Sequence, residues 1–225
     1  MTVSKTVFNK GLKQSSRNWV RRQINDPYVA LARTEGYRSR AAFKLLEIQK
    51  KFRIIRKESV VVDLGAAPGS WSQVASTLCN DVVAVDLLDI VPLPNVSFVY
   101  GDFLEEETIG RILSILGDRR PDVVLSDMAP NTCGVKKVDH IRIMNLVEAV
   151  YRFCEETLAH EGTMVVKTFQ GGASADVLHK MKSGFKTVKH FKPLSSRKES
   201  SELYVVSTGF RVTAGRENQD CLERP

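Results

Sequence analysis

Val60-Val61-Val62-Asp63-Leu64-Gly65-Ala66-Ala67-Pro68-Gly69-Ser70-Trp71 reads as a short β-branched run, an acid, a glycine-bearing loop and the opening of a helix. Unbroken apolar runs this short belong to strands covered on both faces, as in a parallel sheet. The same signal returns at Val82-Val83-Ala84-Val85, at residues 96–99, at Val123-Val124-Leu125 and at Met164-Val165-Val166. Helical patterns at about 70–79, 104–116 and 138–160 separate several of these runs. In the last, Ile141, Met144, Val147, Tyr151, Cys154 and Leu158 recur every three to four residues, which predicts a core-facing stripe. Strand–helix alternation predicts a doubly wound α/β sheet with helices on both faces. A helix near 174–183 and strands near 186–191 and 202–208 follow. Their connection, 192–201, is polar and too short for a crossover helix, so the seven-stranded, mostly parallel sheet should end on an antiparallel strand.

Outward from the sheet, charge is unevenly spread. The 225-residue chain carries a formal charge of +7 and a pI near 9.3. Residues 1–57 hold 15 of its 33 Lys+Arg but only 3 of its 26 Asp+Glu. A basic arm on a mildly acidic body suits a polyanionic partner, with a solubilising tail as the alternative. Residues 1–25 read as an arm or short exposed helix that Asp26-Pro27 breaks. From Ser39 as N-cap, a helix is predicted to Phe52. Arg40, Lys44 and Lys51 fall within about 40° of one another on it, and Glu47 shares the stripe, so an intrahelical pair with Lys51 competes with a binding role. The expected division is a basic arm over 1–36, one domain over 37–211 and a polar tail over 212–225.

The four cysteines are dispersed without C-x-x-C spacing, as are the four histidines, so no metal site is expected. Cys79 and Cys154 sit in amphipathic patterns as core residues, and a reducing compartment fits. No apolar stretch approaches the roughly 20 residues that span a bilayer, and no signal-peptide core appears. A bacterial cytoplasmic location is expected; the basic, acid-poor start leaves a mitochondrial one as the alternative.

The loop after the first strand is a cofactor candidate, since glycines admit close backbone approach and a helix N-terminus offers N–H groups. A dinucleotide fingerprint would be G-x-G-x-x-G. Here Ala67 stands at the second glycine and Ser70 at the third, which argues against NAD. The D-x-G-x-x-P-G loop, with Asp86 after the second strand and Asp102 in Gly101-Asp102-Phe103 after the third, suits S-adenosylmethionine instead. Its ribose would meet Asp86 and its adenine amino group Asp102. The candidate cofactor residues are Asp63, Gly65, Ala66, Pro68, Gly69, Ser70, Trp71, Asp86, Leu87, Asp102, Phe103 and Asp127.

DLGAAPGSWSQVA, AVDLL, GDF, SDMAPN, VVKTFQG and KPLSSRKESSELYVVSTG, preceded by YRSRAAFKLLEI, resemble the FtsJ/RrmJ family of ribosomal RNA 2′-O-methyltransferases over about residues 18–210. The resemblance implies a Rossmann-like methyltransferase sheet and methylation of a uridine ribose in the A loop of large-subunit rRNA. Ser70 departs from the glycine of many members, yet it can still open a helix.

Functional residues of a doubly wound sheet gather beyond the carboxyl ends of its parallel strands. Asp63, Asp86, Asp102, Asp127 and Lys167 stand at such ends, and an antiparallel last strand starts there with Glu202. Topology thus brings Asp127, Lys167 and Glu202 together. The resemblance adds Lys44, because the family's Lys-Asp-Lys-Glu tetrad falls on Lys44, Asp127, Lys167 and Glu202. A ribose hydroxyl is a weak nucleophile and a sulfonium methyl a good electrophile, so positioning and proton removal are the enzyme's tasks. Lys167 is the expected general base. Desolvation and Lys44 would favour its neutral form, while Asp127 and Glu202 oppose it. Asp127 would orient Lys167, and Lys44 and Glu202 would position the hydroxyl. A surface salt-bridge cluster is the alternative. Tyr37, Arg38, Arg40, Arg197 and Lys198 are candidate RNA contacts, with Lys180, Lys182, Lys186, Lys189 and Lys192 further possibilities; Tyr37 could stack on a base or pack as a hinge. Without a separate RNA-recognition module, the expected substrate is rRNA within a ribosomal particle, met by a monomer. The competing functions are the same reaction on tRNA or an mRNA cap, an assembly factor that binds S-adenosylmethionine without turnover, and a nicotinamide oxidoreductase.

Overall fold

The computed structural model describes residues 17, 20, 21, 23–130, 133–170 and 175–211. Seven strands form one sheet: β1 (Val60–Leu64), β2 (Asp81–Asp86), β3 (Val96–Tyr100), β4 (Val123–Ser126), β5 (Thr163–Phe169), β6 (Phe185–Phe191) and β7 (Glu202–Phe210), in the order β3-β2-β1-β4-β5-β7-β6. The first five pair in parallel. β7 runs antiparallel between β5 and β6, with Lys167 opposite Tyr204 and Phe169 opposite Glu202. The predicted antiparallel last strand is therefore present, joined to β6 by the 192–201 loop.

Helices cover both faces. Helices α1 (Pro27–Glu35), α2 (Ala42–Phe52) and α3 (Ser70–Leu78) precede α4 (Glu106–Leu116), α5 (Lys136–Thr157) and α6 (Ala175–Gly184). One core layer packs Leu45, Ile48, Trp71 and Val74 of α2 and α3 against Val61, Leu125, Val165 and Tyr204. The other packs Ile112, Met144, Val147, Cys154 and Met181 against Val62, Val83, Val124 and Val166. Alternate residues of each strand thus serve opposite layers, which is why the runs read as unbroken apolar. Cys79 and Cys154 are buried as expected.

Three local expectations need correction. Asp26-Pro27 does not merely end the preceding segment. It starts α1: the Asp26 carboxylate accepts the Tyr28 N–H at 3.1 Å, and Pro27 takes the first helical position, where its missing donor is harmless. Ser39 precedes a turn rather than the helix; its hydroxyl accepts the Ala41 N–H at 3.1 Å, and α2 begins at Ala42. Ile141 is 59% exposed, while Ile143 is fully buried. Ile141 lies about 100° from the centre of the stripe through Met144, Val147, Tyr151 and Cys154, so three-residue spacing extended the stripe one turn too far.

Candidate active site

The carboxyl edge of the parallel strands carries the predicted residues. Asp127 follows β4 directly and Glu202 opens β7. Lys167 lies inside β5 rather than at its end, because pairing with β7 extends the strand to Phe169. Residues opposite one another in an antiparallel pair share a face, so Lys167, Phe169, Glu202 and Tyr204 all face α2. Lys44, in the first turn of α2, completes the group from above.

The four residues form one connected cluster. Lys167 Nζ lies 2.7 Å from Asp127 Oδ1 and donates to the Asp127 carbonyl oxygen at 2.5 Å. Lys44 Nζ lies 2.9 Å from Glu202 Oε2 and 3.8 Å from Asp127 Oδ2. Both lysines are 8% exposed. Burial alone would push the Asp127 carboxyl up, but the charges of Lys167 and Lys44, with hydrogen bonds from Lys167 and Tyr204, hold it below its ordinary value. The cluster, with both lysines buried and both carboxylates half-buried, is therefore a shielded network rather than a set of solvated surface pairs.

Two members were not foreseen. The Tyr204 hydroxyl donates to Asp127 Oδ1 at 2.6 Å, sharing that oxygen with Lys167. Tyr204 is fully buried, and desolvation together with the carboxylates of Asp127 and Glu202 pushes its phenol well above the ordinary value. The Ser196 hydroxyl donates to Glu202 Oε1 at 2.8 Å. Tyr204 had a signal in the sequence, since it stands two residues after Glu202 and so shares its face. Ser196 had none, because its position depends on how the 192–201 loop folds.

Beside the cluster, the loop after β1 makes a cradle. Gly65 has φ +76°, and a Cβ there would come within 2.2 Å of Met128 Cγ. Gly69, φ +93°, lies against the Arg38 guanidinium. Asp63 is 1% exposed and accepts the Ser72 hydroxyl at 2.6 Å. Burial pushes its pKa to about 7, with the Ser72 hydrogen bond opposing and the Asp127 and Asp86 carboxylates adding to the rise. Asp86 accepts the N–H groups of Ala67 and Leu88, each at 2.8 Å, and Asp102 accepts that of Leu104 at 2.9 Å. Leu87 is 58% exposed on the same edge. Ala66 is buried and Pro68 exposed within the loop. A backbone cradle kept open by glycine, one deep carboxyl and two rim carboxylates match a cofactor bearing an ammonium, a ribose and an adenine.

Three candidates from this set place their side chains elsewhere. Trp71 is 2% exposed, stacks at a tilt on Tyr204 with centroids 5.5 Å apart, and donates its indole N–H to the Ala41 carbonyl at 2.9 Å. It is the joint between α2, α3 and the sheet, not a cofactor wall. Phe103 is 5% exposed and packs edge-on against Phe153 in the opposite layer. The Ser70 hydroxyl is buried against that of Ser39, 2.7 Å away. Apolar packing outbid ligand contact for the two aromatics because each buries a large ring.

The expected basic stripe is not an open one. Arg40 pairs with Asp26 at 2.8 Å, Lys44 with Glu202, and Lys51 lies 4.7 Å from the Phe191 ring centroid. Glu47 does not hold Lys51; it accepts the backbone N–H groups of Leu194 and Ser195 at 2.5 and 2.8 Å. Arg197 joins Asp26 at 3.0 Å. Arg38 donates to the Pro68, Val91 and Pro92 carbonyls at 3.0, 2.5 and 3.2 Å, tying the cradle to the segment after β2. Tyr37 packs edge-on against Phe43 with centroids 5.5 Å apart, while Lys198 is exposed. Lys180 and Lys186 pair with Glu148 and Glu161. Among the described residues, no group of His, Cys, Asp and Glu has the arrangement of a metal site.

A model of the FtsJ-like methyltransferase family matches residues 37–210, more than three quarters of the chain and every element from α2 to β7. The chain belongs to that family. Among relatives of this FtsJ-like methyltransferase, the ribosomal RNA large subunit methyltransferase E of Rickettsia akari is 52% identical over 201 residues, covering 86% of this chain and 88% of the relative. The protein of that name from Xanthobacter autotrophicus is 48% identical over 214 residues, covering 92% and 84%. A crystal structure from Plasmodium falciparum, described as that of a ribosomal RNA methyltransferase, superposes with TM-score 0.71 at 30% identity, covering 79% of this chain and all of the other. The Rossmann-like sheet with its antiparallel C-terminal strand is thus the fold of a methyltransferase family.

Proposed function

We propose that this methyltransferase transfers the methyl group of S-adenosylmethionine to the 2′-hydroxyl of a uridine ribose in the A loop of large-subunit rRNA. The observation that carries it is the connected cluster of Lys44, Asp127, Lys167 and Glu202 beside the Gly65 cradle. The names of the bacterial relatives support large-subunit rRNA over tRNA or an mRNA cap. A complete cluster supports turnover over binding alone.

The backbone of Gly65, Ala66 and Gly69 would hold the cofactor, with Asp63 facing its ammonium, Asp86 its ribose hydroxyls and Asp102 its adenine amino group. When bound, S-adenosylmethionine supplies an electrophilic methyl group. Lys167 then acts as general base. Two N–H bonds of its Nζ are directed to the Asp127 carbonyl and carboxylate, which orients that nitrogen for the incoming hydroxyl. Lys167 Nζ would take the hydroxyl proton as the sulfur–methyl bond gives way to the oxygen–methyl bond and S-adenosylhomocysteine leaves, and Asp127 Oδ1 would stabilise the resulting ammonium. Tyr204 holds Asp127 in place through the same oxygen. Lys44 and Glu202 fix the ribose hydroxyl, with Ser196 orienting Glu202. The substrate is rRNA folded within a ribosomal particle, and the enzyme works as a monomer in the bacterial cytoplasm.

The test supplies labelled S-adenosylmethionine to large-subunit particles that lack the modification. Label should enter one nucleotide and render its 3′ linkage resistant to alkali, since methylation removes the attacking hydroxyl. Label on a base, or no transfer, would refute the reaction. Lys167→Ala should lower turnover by at least ~10²-fold with cofactor affinity retained; near-normal turnover would exclude Lys167 as the base.

A further inference from the structure

Three segments distant in sequence meet at Asp26. Its side chain is 5% exposed, and a single oxygen, Oδ2, lies 2.8 Å from Arg40 Nη1 and 3.0 Å from Arg197 Nε. The other oxygen, Oδ1, accepts the Tyr28 N–H and caps α1. Arg40 also donates through Nη2 to the Ser195 carbonyl. The carboxylate thus ties the start of α1, the turn before α2 and the β6–β7 loop into one unit.

The stoichiometry is unequal: two guanidinium charges share one carboxylate. Each arginine also retains a buried nitrogen without a hydrogen-bond acceptor, Nε on Arg40 and Nη2 on Arg197. Unpaired buried donors are unfavourable, so the protein alone leaves both guanidiniums under-satisfied. Both arginines line a cavity of about 390 Å³ that they share with Gln23, Lys44, Ser200 and Glu202. Glu199 also lines it, but it is exposed, where water screens its charge. Lys44 and Glu202 belong to the catalytic cluster, so a ligand on the two guanidiniums lies beside the reacting position. Planar guanidinium forks match the oxygens of a phosphodiester in both geometry and charge.

We propose that Asp26 is a positioning residue that holds Arg40 and Arg197 as a paired clamp for a backbone phosphate of the substrate strand, next to the ribose presented to the Lys44–Glu202 pair. This rests on the proposed RNA reaction and adds to it the element that aims the two arginines. Asp26 touches no substrate; it acts through the guanidiniums. It also explains the placement of α1, whose capped start is where the carboxylate is anchored.

Asp26→Asn tests this. The amide still caps α1, since Asn and Asp are comparable N-caps, but the charge that gathers the arginines is gone. Methyl transfer to unmodified large-subunit particles should show KM raised about tenfold or more, with kcat changed less and S-adenosylmethionine affinity within twofold of wild type. The slope of log affinity for the particle against log salt should become shallower by about 0.7, the loss of one phosphate contact on a single strand. A structural role alone would lower the melting temperature without moving that slope. Asp26→Ser, which keeps a capping oxygen and places no amide N–H against the guanidiniums, is measured in the same way where the first variant does not fold. An unchanged KM, or a raised KM with the salt slope unaltered, would overturn the assignment. Failure of the reaction itself would appear differently, as wild-type enzyme that places no label on a ribose.

Discussion

Replacing Asp63 with asparagine should stabilise the protein in mild alkali and change little in acid, although it removes a residue of the cofactor cradle. Asp63 is 1% exposed, and burial, the largest influence, pushes its pKa from 3.8 to about 7. Below pH 3.8 both folded and unfolded chains hold the proton. Between 3.8 and about 7 the unfolded chain has released it and the folded chain has not, so the stability this group contributes falls as pH rises. At about 1.4 kcal/mol per unit the fall reaches roughly 4 kcal/mol and then levels off. The amide of Asp63→Asn does not titrate, yet its oxygen can accept the same Ser72 hydroxyl. Other titrations common to both proteins cancel in the difference. Urea unfolding across pH ~4.5 to ~8.5 should therefore show the variant gaining on the wild type by about 3 kcal/mol, with most of the change below pH ~7. The same variant should bind S-adenosylmethionine more weakly, and wild-type binding near pH 6 should release a proton as the ammonium drives Asp63 to ionise, a quantity that calorimetry in buffers of different ionisation enthalpy measures. A stability difference that does not vary with pH would refute the reasoning, because burial would then not govern the ionisation of Asp63.

Three further outcomes follow from the site. Tyr204→Phe keeps the buried ring but removes the 2.6 Å hydrogen bond to Asp127; it should cost about 2 kcal/mol in chemical unfolding and lower kcat more than it alters cofactor affinity. The Asp127 carboxyl is held below 3.8, so its contribution is present above that pH and is lost as pH falls through its folded value; the stability advantage of wild type over Asp127→Asn should be flat from neutrality to about pH 4 and shrink below it. Gly65→Ala imposes a side chain at φ +76° and sets its Cβ against Met128 Cγ, so cofactor affinity should drop together with a loss of stability of at least ~1–2 kcal/mol, read by titration and thermal unfolding.

The parts of the site legible beforehand are those set by strand order. Asp127, Lys167 and Glu202 could be placed on one edge because parallel strands end there and an antiparallel one begins there. Lys44 needed the family resemblance, since no periodicity tells which rim of a sheet a preceding helix will overhang. What surrounds the other candidate side chains was not legible, for a common reason. Trp71 and Phe103 flank cofactor loops in sequence, yet side-chain direction sends both rings into the core. Arg38, Arg40 and Arg197 look like free cations in a linear chain, but Asp26 and three main-chain carbonyls hold them.

Local patterning therefore determined the strands, the helices, the Gly65–Gly69 loop and the identity of the family, because these rest on interactions between residues close in the chain: alternation, turn chemistry and capping. Tertiary structure alone decided which oxygen of Asp127 both Lys167 and Tyr204 use, how Glu47 and Ser196 fasten the 192–201 loop, and that Asp26 gathers two arginines from segments 14 and 171 residues away. Charge partners are chosen by distance in space and by burial, and neither quantity is written in the order of residues along a chain.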